Sequence, residues 1–83
     1  MRLDRYLFFS RILKSRTQAQ ALIDTGRVRL DGRHVTKPSE PVKIGSVIAL
    51  PLRGSVHIIR VIAFPTRRGP PAEARTCYEE IEG

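Results

Sequence analysis

The stretch Ile23-Asp24-Thr25-Gly26-Arg27-Val28-Arg29-Leu30-Asp31-Gly32 changes its period midway, and that change sets the fold class. Up to it, Ala19, Leu22 and Ile23 recur at helical spacing and form one apolar stripe. Gly26 follows as a left-handed stop, a backbone state that glycine enters without a Cβ penalty. Beyond it the period is two: Val28 and Leu30 face one way, Arg27 and Arg29 the other. Asp31-Gly32 is a hairpin turn signal, and Arg33-His34-Val35 begins the return strand. A helix that stops at a glycine and gives way to a hairpin predicts an α+β chain.

Upstream, Ser15 followed by Gln18 matches a capping box, so the helix starts after Ser15. Leu3, Tyr6 and Leu7 place a shorter first helix over Leu3–Ser10. Asp4 lies in its first turn, where a carboxylate suits the helix dipole. Ile12 and Leu13 enter the core from the turn between the two helices. Downstream, Lys37-Pro38-Ser39-Glu40-Pro41 is a connector, because two prolines cannot both serve a central strand. Val42 and Ile44 resume the alternation, Gly45-Ser46 turns, Val47–Leu50 is a strand, and Pro51–Gly54 turns again. Val56–Phe64 is the longest β candidate. It is apolar on both faces apart from His57 and Arg60, so both faces are expected to be covered. Pro65–Pro71 is a loop or hinge, and Ala72–Glu82 reads as a last helix with Pro71 near its first position. Cys77, Tyr78 and Ile81 would dock that helix onto the sheet. The expected architecture is two short N-terminal helices packed on a small, mostly antiparallel sheet, with a C-terminal helix. Residues 1–64 would form the domain, and residues 65–83 a loop and helix packed on it.

Composition narrows the function classes. The chain has 83 residues, enough for one small core, and 41% are hydrophobic, which excludes disorder by composition. No apolar run approaches the roughly 20 residues of a membrane span. Charges interrupt the N-terminal segment too often for a signal peptide, so a cytoplasmic location with no membrane contact is expected. Cys77 is the single cysteine, which excludes an internal disulfide and a thiolate zinc site, and it reads as a small buried apolar side chain. His34 and His57 have no nucleophile or acid in motif context. There is no glycine-rich phosphate loop, no metal-ligand cluster and no carboxylate pair set by spacing. The expectation is a protein without catalytic residues, metal or cofactor.

Charge is the strongest compositional signal. The net charge is +7 and the pI about 10.8. Residues 1–37 hold nine cations and three anions, a surplus of six; residues 38–83 hold six and five, a surplus of one. Concentration in one half suggests a face that meets a polyanion. Arg11, Lys14 and Arg16 surround the start of the second helix, the wrong end for positive charge unless an anion docks on the free amides. Arg2 and Arg5 on the first helix and Arg27, Arg29 and Arg33 on the hairpin extend the set. If the hairpin packs beside the helices, one continuous basic surface results. The preference for arginine over lysine suits planar, bidentate phosphate contact. The plainer alternative is a set of solvated cations, with Arg16 paired to Asp4 or another acid. Phe8 and Phe9 cannot both face the same core, so one is free to stack on a base unless both are packed away. Two rival functions fit the same composition: a helix-turn-helix-like DNA binder and a protein-interaction adaptor.

The motifs Arg2-Leu3-Asp4-Arg5-Tyr6-Leu7, Lys14-Ser15-Arg16-Thr17-Gln18-Ala19 and Ile23 through Gly32 occur in order. With Lys37-Pro38-Ser39 and Val42-Lys43-Ile44-Gly45-Ser46-Val47-Ile48, they resemble the S4 RNA-binding domain over residues 1 to about 50. Arg68 through Glu80 resembles the tail of small stand-alone members, similar to ribosome-associated heat-shock proteins of the Hsp15 type. Those usually carry Trp in the first helix, where this chain has Tyr6, Phe8 and Phe9. The resemblance implies a compact α+β domain presenting its helix pair and hairpin to structured RNA. In the stand-alone members the partner is ribosomal RNA of the large subunit, including stalled subunits with their tRNA. Carried over by position, the RNA-facing residues are Arg2, Arg11, Lys14, Ser15, Arg16, Gln20, Arg27, Arg29 and Lys37, with Arg5 and Arg33 as further candidates. Asp4 matches an acidic position with a structural role.

Overall fold

Gly26 takes φ +76° and stops the second helix, so the chain turns into the sheet where the period changes. The computed structural model describes residues 1–81. Helices α1 (Leu3–Phe9) and α2 (Arg16–Asp24) lead into the strands β1 (Val28–Leu30), β2 (Arg33–Val35), β3 (Val47–Leu52) and β4 (Ser55–Val61). A single helical turn, α3 (Pro71–Ala74), and a 3-10 turn (Arg75–Cys77) precede β5 (Tyr78–Ile81). The strands form one antiparallel sheet in the order β2-β1-β3-β4-β5. The architecture is α+β, as the change of period implies.

The sheet has an inner face and an outer face. Val28, Leu30 and Val35 join Ile48, Leu50, Ile59 and Val61 on the inner one, against Leu3, Tyr6 and Leu7 of α1 and Ala19 and Ile23 of α2. Each fully buried Leu, Ile or Tyr here contributes about 1.5–3 kcal/mol of transfer free energy. The hairpin turn at Asp31-Gly32 has both residues at positive φ, +52° and +85°, the geometry that matches strand twist. Asp31 also accepts the Val47 amide through Oδ1 at 2.9 Å, which ties the hairpin to β3. The connector closes on α1: Pro38 and Glu40 carbonyls accept the Asp4 and Leu3 amides at 3.1 and 2.8 Å. Two of the orphan amides of α1 are thereby satisfied.

Three local expectations are corrected. First, Pro51 and Leu52 belong to β3, and only Arg53-Gly54 turns. Pro51 is tolerated because the pairing of β3 with β1 ends at Ala49, so no partner strand lacks its missing amide. Second, β4 ends at Val61 and the outer side of the stretch is not covered: Val56 in the strand is 68% exposed and Ile62 just beyond it 44%. Third, the helix expected over Ala72–Glu82 is a short helical start followed by a strand; Glu82 lies outside the described residues. Tyr78–Ile81 pairs with the open edge of β4, from Val61↔Tyr78 to Ile58↔Ile81. That edge gives the segment a ladder of backbone partners, and Arg60 pairs across to Glu79 at 2.8 Å. Tyr6 donates its hydroxyl to the Cys77 carbonyl at 2.7 Å, pinning this segment to α1. Burial pushes the Tyr6 hydroxyl well above the usual phenol range, so it remains a donor. Cys77 is buried and unpaired.

Candidate nucleic-acid interface

The side chains flanking α1 and α2 converge on one carboxylate. Asp4 is fully buried, yet four groups serve it. Arg2 makes a two-pronged contact through Nε at 2.6 Å and Nη2 at 3.1 Å. Gln20 donates Nε2 at 3.0 Å, and the Arg5 amide donates at 2.8 Å. An Arg16 Nη2 lies 3.7 Å away. Burial alone would raise the Asp4 pKa, but the Arg2 and Gln20 hydrogen bonds and the Arg5 amide outweigh it and hold it below the usual carboxylate range. Asp4 is thus a buried anion that sets the orientation of Arg2, Arg16 and Gln20. The Arg2 and Arg16 side chains remain 39% and 42% exposed, so their outer edges reach solvent. Arg16 Nε is buried and has no hydrogen-bond partner among the described residues, which leave its full donor capacity unmet.

The start of α2 is capped as expected, with one difference. Ser15 Oγ accepts the Gln18 amide at 3.0 Å. Gln18 Oε1 reaches back to the Lys14 amide at 3.2 Å, one residue before the cap. The Ser15 hydroxyl oxygen is therefore engaged in the cap. Lys14 and Arg5 are exposed and form no ion pair among the described residues. Lys37 is also exposed and lies in the connector bonded to the first turn of α1. Arg33 is neutralised by Glu40 at 2.6 Å.

The other candidates sit elsewhere. Arg29 of β1 and Arg27 just before it lie on the outer face of the sheet, away from the helices, and share a shallow groove with His34, Ala49, Val56 and Ile58. His34 Nδ1 lies 2.7 Å from the Gly26 carbonyl and must be the donor there, since a carbonyl only accepts. Arg11 occupies the turn after α1 at φ +61° and bonds through Nε to the Gly69 carbonyl of the C-terminal loop. The single continuous basic surface expected from the sequence is accordingly divided. Arg2, Arg16 and Gln20 are gathered at Asp4, with Ser15 capping the helix beside them; Arg27 and Arg29 lie across the sheet; Arg11 faces the C-terminal segment. The reason is the pleat: alternation that buries Val28 and Leu30 under the helices sends Arg29 to the far side.

Sequence reasoning missed Arg53, Arg68 and Arg75. Arg68 lies 4.8 Å over the Phe8 ring and donates Nε to the Phe8 carbonyl at 3.1 Å, so one face of Phe8 is already occupied. Phe8 and Phe9 are both half-buried, with ring centroids 5.9 Å apart. The available signal was the Arg67-Arg68 pair, in a loop at the start of the stretch that resembles the tail of the stand-alone members. Among the described residues, no helix is long and apolar enough to cross a membrane, and no three His, Cys, Asp or Glu side chains group as metal ligands.

Comparison with known proteins places this arrangement. The chain is 32% identical to the Heat shock protein 15 homolog of Haemophilus influenzae, over 99% of this chain and 62% of that protein. It is 34% identical to the RQC P-site tRNA stabilizing factor of Streptococcus pneumoniae, over 75% of this chain and 69% of that one. It spans about three fifths of the length of the Heat shock protein 15 relatives it matches. The solved structure of Vibrio cholerae Heat Shock Protein 15, described as trimeric, superposes with a TM-score of 0.92 at 31% identity, covering 98% of this chain and 81% of that chain. A family model, the S4 domain, matches residues 1–48, which hold both helices, the hairpin and the Asp4 cluster. On the ordered motifs, the fold and these matches, the chain belongs to the S4 domain family.

Proposed function

We propose that this protein is a non-catalytic RNA-binding protein of the cytoplasm that engages ribosomal RNA of the large subunit, together with ribosome-bound tRNA. The observation that carries the reading is the helix-side cation set: Arg2 and Arg16 held by a buried carboxylate, with Arg5, Lys14 and Lys37 exposed and unpaired among the described residues. A guanidinium already oriented by Asp4 loses little freedom when its outer edge meets a phosphate. Membership of the S4 domain family, and the likeness to a P-site tRNA stabilizing factor, support ribosome-associated RNA as the class of ligand. Recognition would rest on backbone charge and A-form shape more than on base edges. Arg27 and Arg29, on the outer face, would make a second and separate phosphate contact.

The test compares binding of large-subunit ribosomal RNA fragments, duplex DNA and an unfolded protein at matched salt. RNA should bind most tightly, and replacing Arg5 and Lys14 with Gln should weaken it about tenfold without changing the melting temperature. Preference for duplex DNA would support the helix-turn-helix reading instead, and preference for unfolded protein the adaptor reading. If all five helix-side cations contact phosphate, log K should fall with log salt at a slope of about −3.5 to −4.5. A slope near zero would count against phosphate contact.

A further inference from the structure

A second group of arginines lies apart from Asp4. Arg11, Arg53, Arg68 and Arg75 line one concavity of about 430 Å³, together with Tyr78 and Glu80. They come from four distant parts of the chain: the turn after α1, the β3–β4 turn, the loop before α3, and the 3-10 turn. A smaller adjoining hollow of about 160 Å³ shares Arg11, Arg53, Tyr78 and Glu80 and adds His57. Among the described residues, Glu80 is the sole carboxylate lining the larger concavity against four guanidinium groups, a surplus of three charges within that set.

Two features separate this group from solvated surface cations. The first is how the arginines are held. Arg11 and Arg68 are fixed by backbone carbonyls, of Gly69 for one and of Phe8 and Leu13 for the other, so their charge is oriented and, among the described residues, has no ion-pair partner. Arg53 and Arg75 form no ion pair among the described residues. The second is backbone strain. Arg11 at φ +61° and Arg53 at φ +51° are two of the three non-glycine residues in the left-handed region among those described, and both line this concavity. Arg53 occupies a two-residue hairpin turn, a place that suits Asn, Asp or Gly. Residues held in this region cluster at ligand sites, although turn geometry alone also produces them, as at Asp31. Like charges gathered around a hollow repel one another, and an anion with several acceptor oxygens reverses that sign.

We propose that this concavity binds a phosphate group, with Arg53 and Arg75 as the mobile contacts and Arg11 and Arg68 as the fixed wall. The phosphate could belong to an RNA strand or to a free phosphorylated small molecule. The proposal does not depend on the RNA-binding reading, because it can be probed with pyrophosphate alone.

The experiment is an NMR titration of the full chain with pyrophosphate, following backbone amide and arginine Nε–Hε signals. Signals of Arg11, Arg53, Arg75 and Tyr78 should shift together and saturate. In the double variant Arg53→Asn, Arg75→Gln the apparent affinity should fall about tenfold. Asn tolerates the left-handed turn, so the variant should keep or raise the melting temperature while losing pyrophosphate. The Arg5→Gln, Lys14→Gln variant should bind pyrophosphate normally, which separates this site from the helix-side surface. If the Arg53/Arg75 variant also loses RNA affinity, with the salt slope reduced by about 1.4, the phosphate belongs to an RNA strand. If its RNA affinity is unchanged while the unmodified chain binds pyrophosphate, the ligand is a small phosphorylated molecule. Shifts no larger at these arginines than at Arg27 and Arg29, or pyrophosphate binding that survives in the double variant, would overturn the site.

Discussion

Asp4 is the residue on which most of the helix-side chemistry turns. It is a buried acid among arginines, and simple charge counting predicts that removing it would strengthen RNA binding. The geometry predicts the reverse, because Arg2, Arg16 and Gln20 lose the group that orients them. Asp4→Asn should cost about 2 kcal/mol, since it leaves donors around the site poorly matched. That is a fall of roughly 8–16 °C in melting temperature for a chain of this size. RNA affinity measured well below the melting range should also fall. A rise would show that Asp4 acts only as a local charge. Its pKa is depressed in the folded protein, so its contribution is complete above the ordinary carboxylate value near 3.8 and is lost as pH falls through the folded value. Urea midpoints measured between pH 6 and pH 2 should therefore drop more steeply for the unmodified protein than for Asp4→Asn. Arg16→Glu is a poor probe of RNA contact for the same reason: it would set a second carboxylate against Asp4. At Gly26 a Cβ would meet Thr36 Cγ2 at an ordinary 3.8 Å, so Gly26→Ala should cost about 1 kcal/mol through its φ of +76° alone. An unchanged melting temperature would contradict that.

At the scale of elements, the motif-rich half follows its local signals. The Ser15 cap, the Gly26 stop and the Asp31-Gly32 turn each act over three or four residues, and each lies where its chemistry places it. The C-terminal segment does not follow its local signals. Cys77, Tyr78 and Ile81 have helical spacing, but the free edge of β4 captures Tyr78–Ile81 as a strand. Whether an edge is free depends on the rest of the sheet, which no short window of sequence contains. The Tyr6 hydroxyl is the buried link between this strand's entry and α1. Tyr6→Phe leaves the Cys77 carbonyl without that donor and should cost about 1–2 kcal/mol. Hydrogen exchange should show the loss first in the Ile62 and Ala63 amides, which also bond to Cys77, and in β5. Uniform loss across all strands would mean that β5 is not held by this contact.

Over the whole molecule, the surplus charge is sorted by the fold into places the sequence does not distinguish. Residues 1–37 carry nearly all of the net charge, and their arginines read as one set. Folding sends some to Asp4, some across the sheet, and Arg11 toward the C-terminal loop. The arginines of the second half, nearly balanced by acids in sequence, include the three that join Arg11 in a concavity. Neutralising the helix-side pair Arg5 and Lys14 and neutralising the outer pair Arg27 and Arg29 should thus have additive effects on RNA affinity, as separate contacts do. Coupling beyond about 0.5 kcal/mol in the four-site variant would join them into one surface. The α+β class, the two helices, the hairpin and the family membership were determined by the sequence itself, because capping, turn chemistry and hydrophobic period are local interactions. Which strand edge was left for β5, which cations share a face, and which carboxylate orients them were decided only in the tertiary structure. Those outcomes depend on which segments, tens of residues apart, come to lie side by side when the core closes.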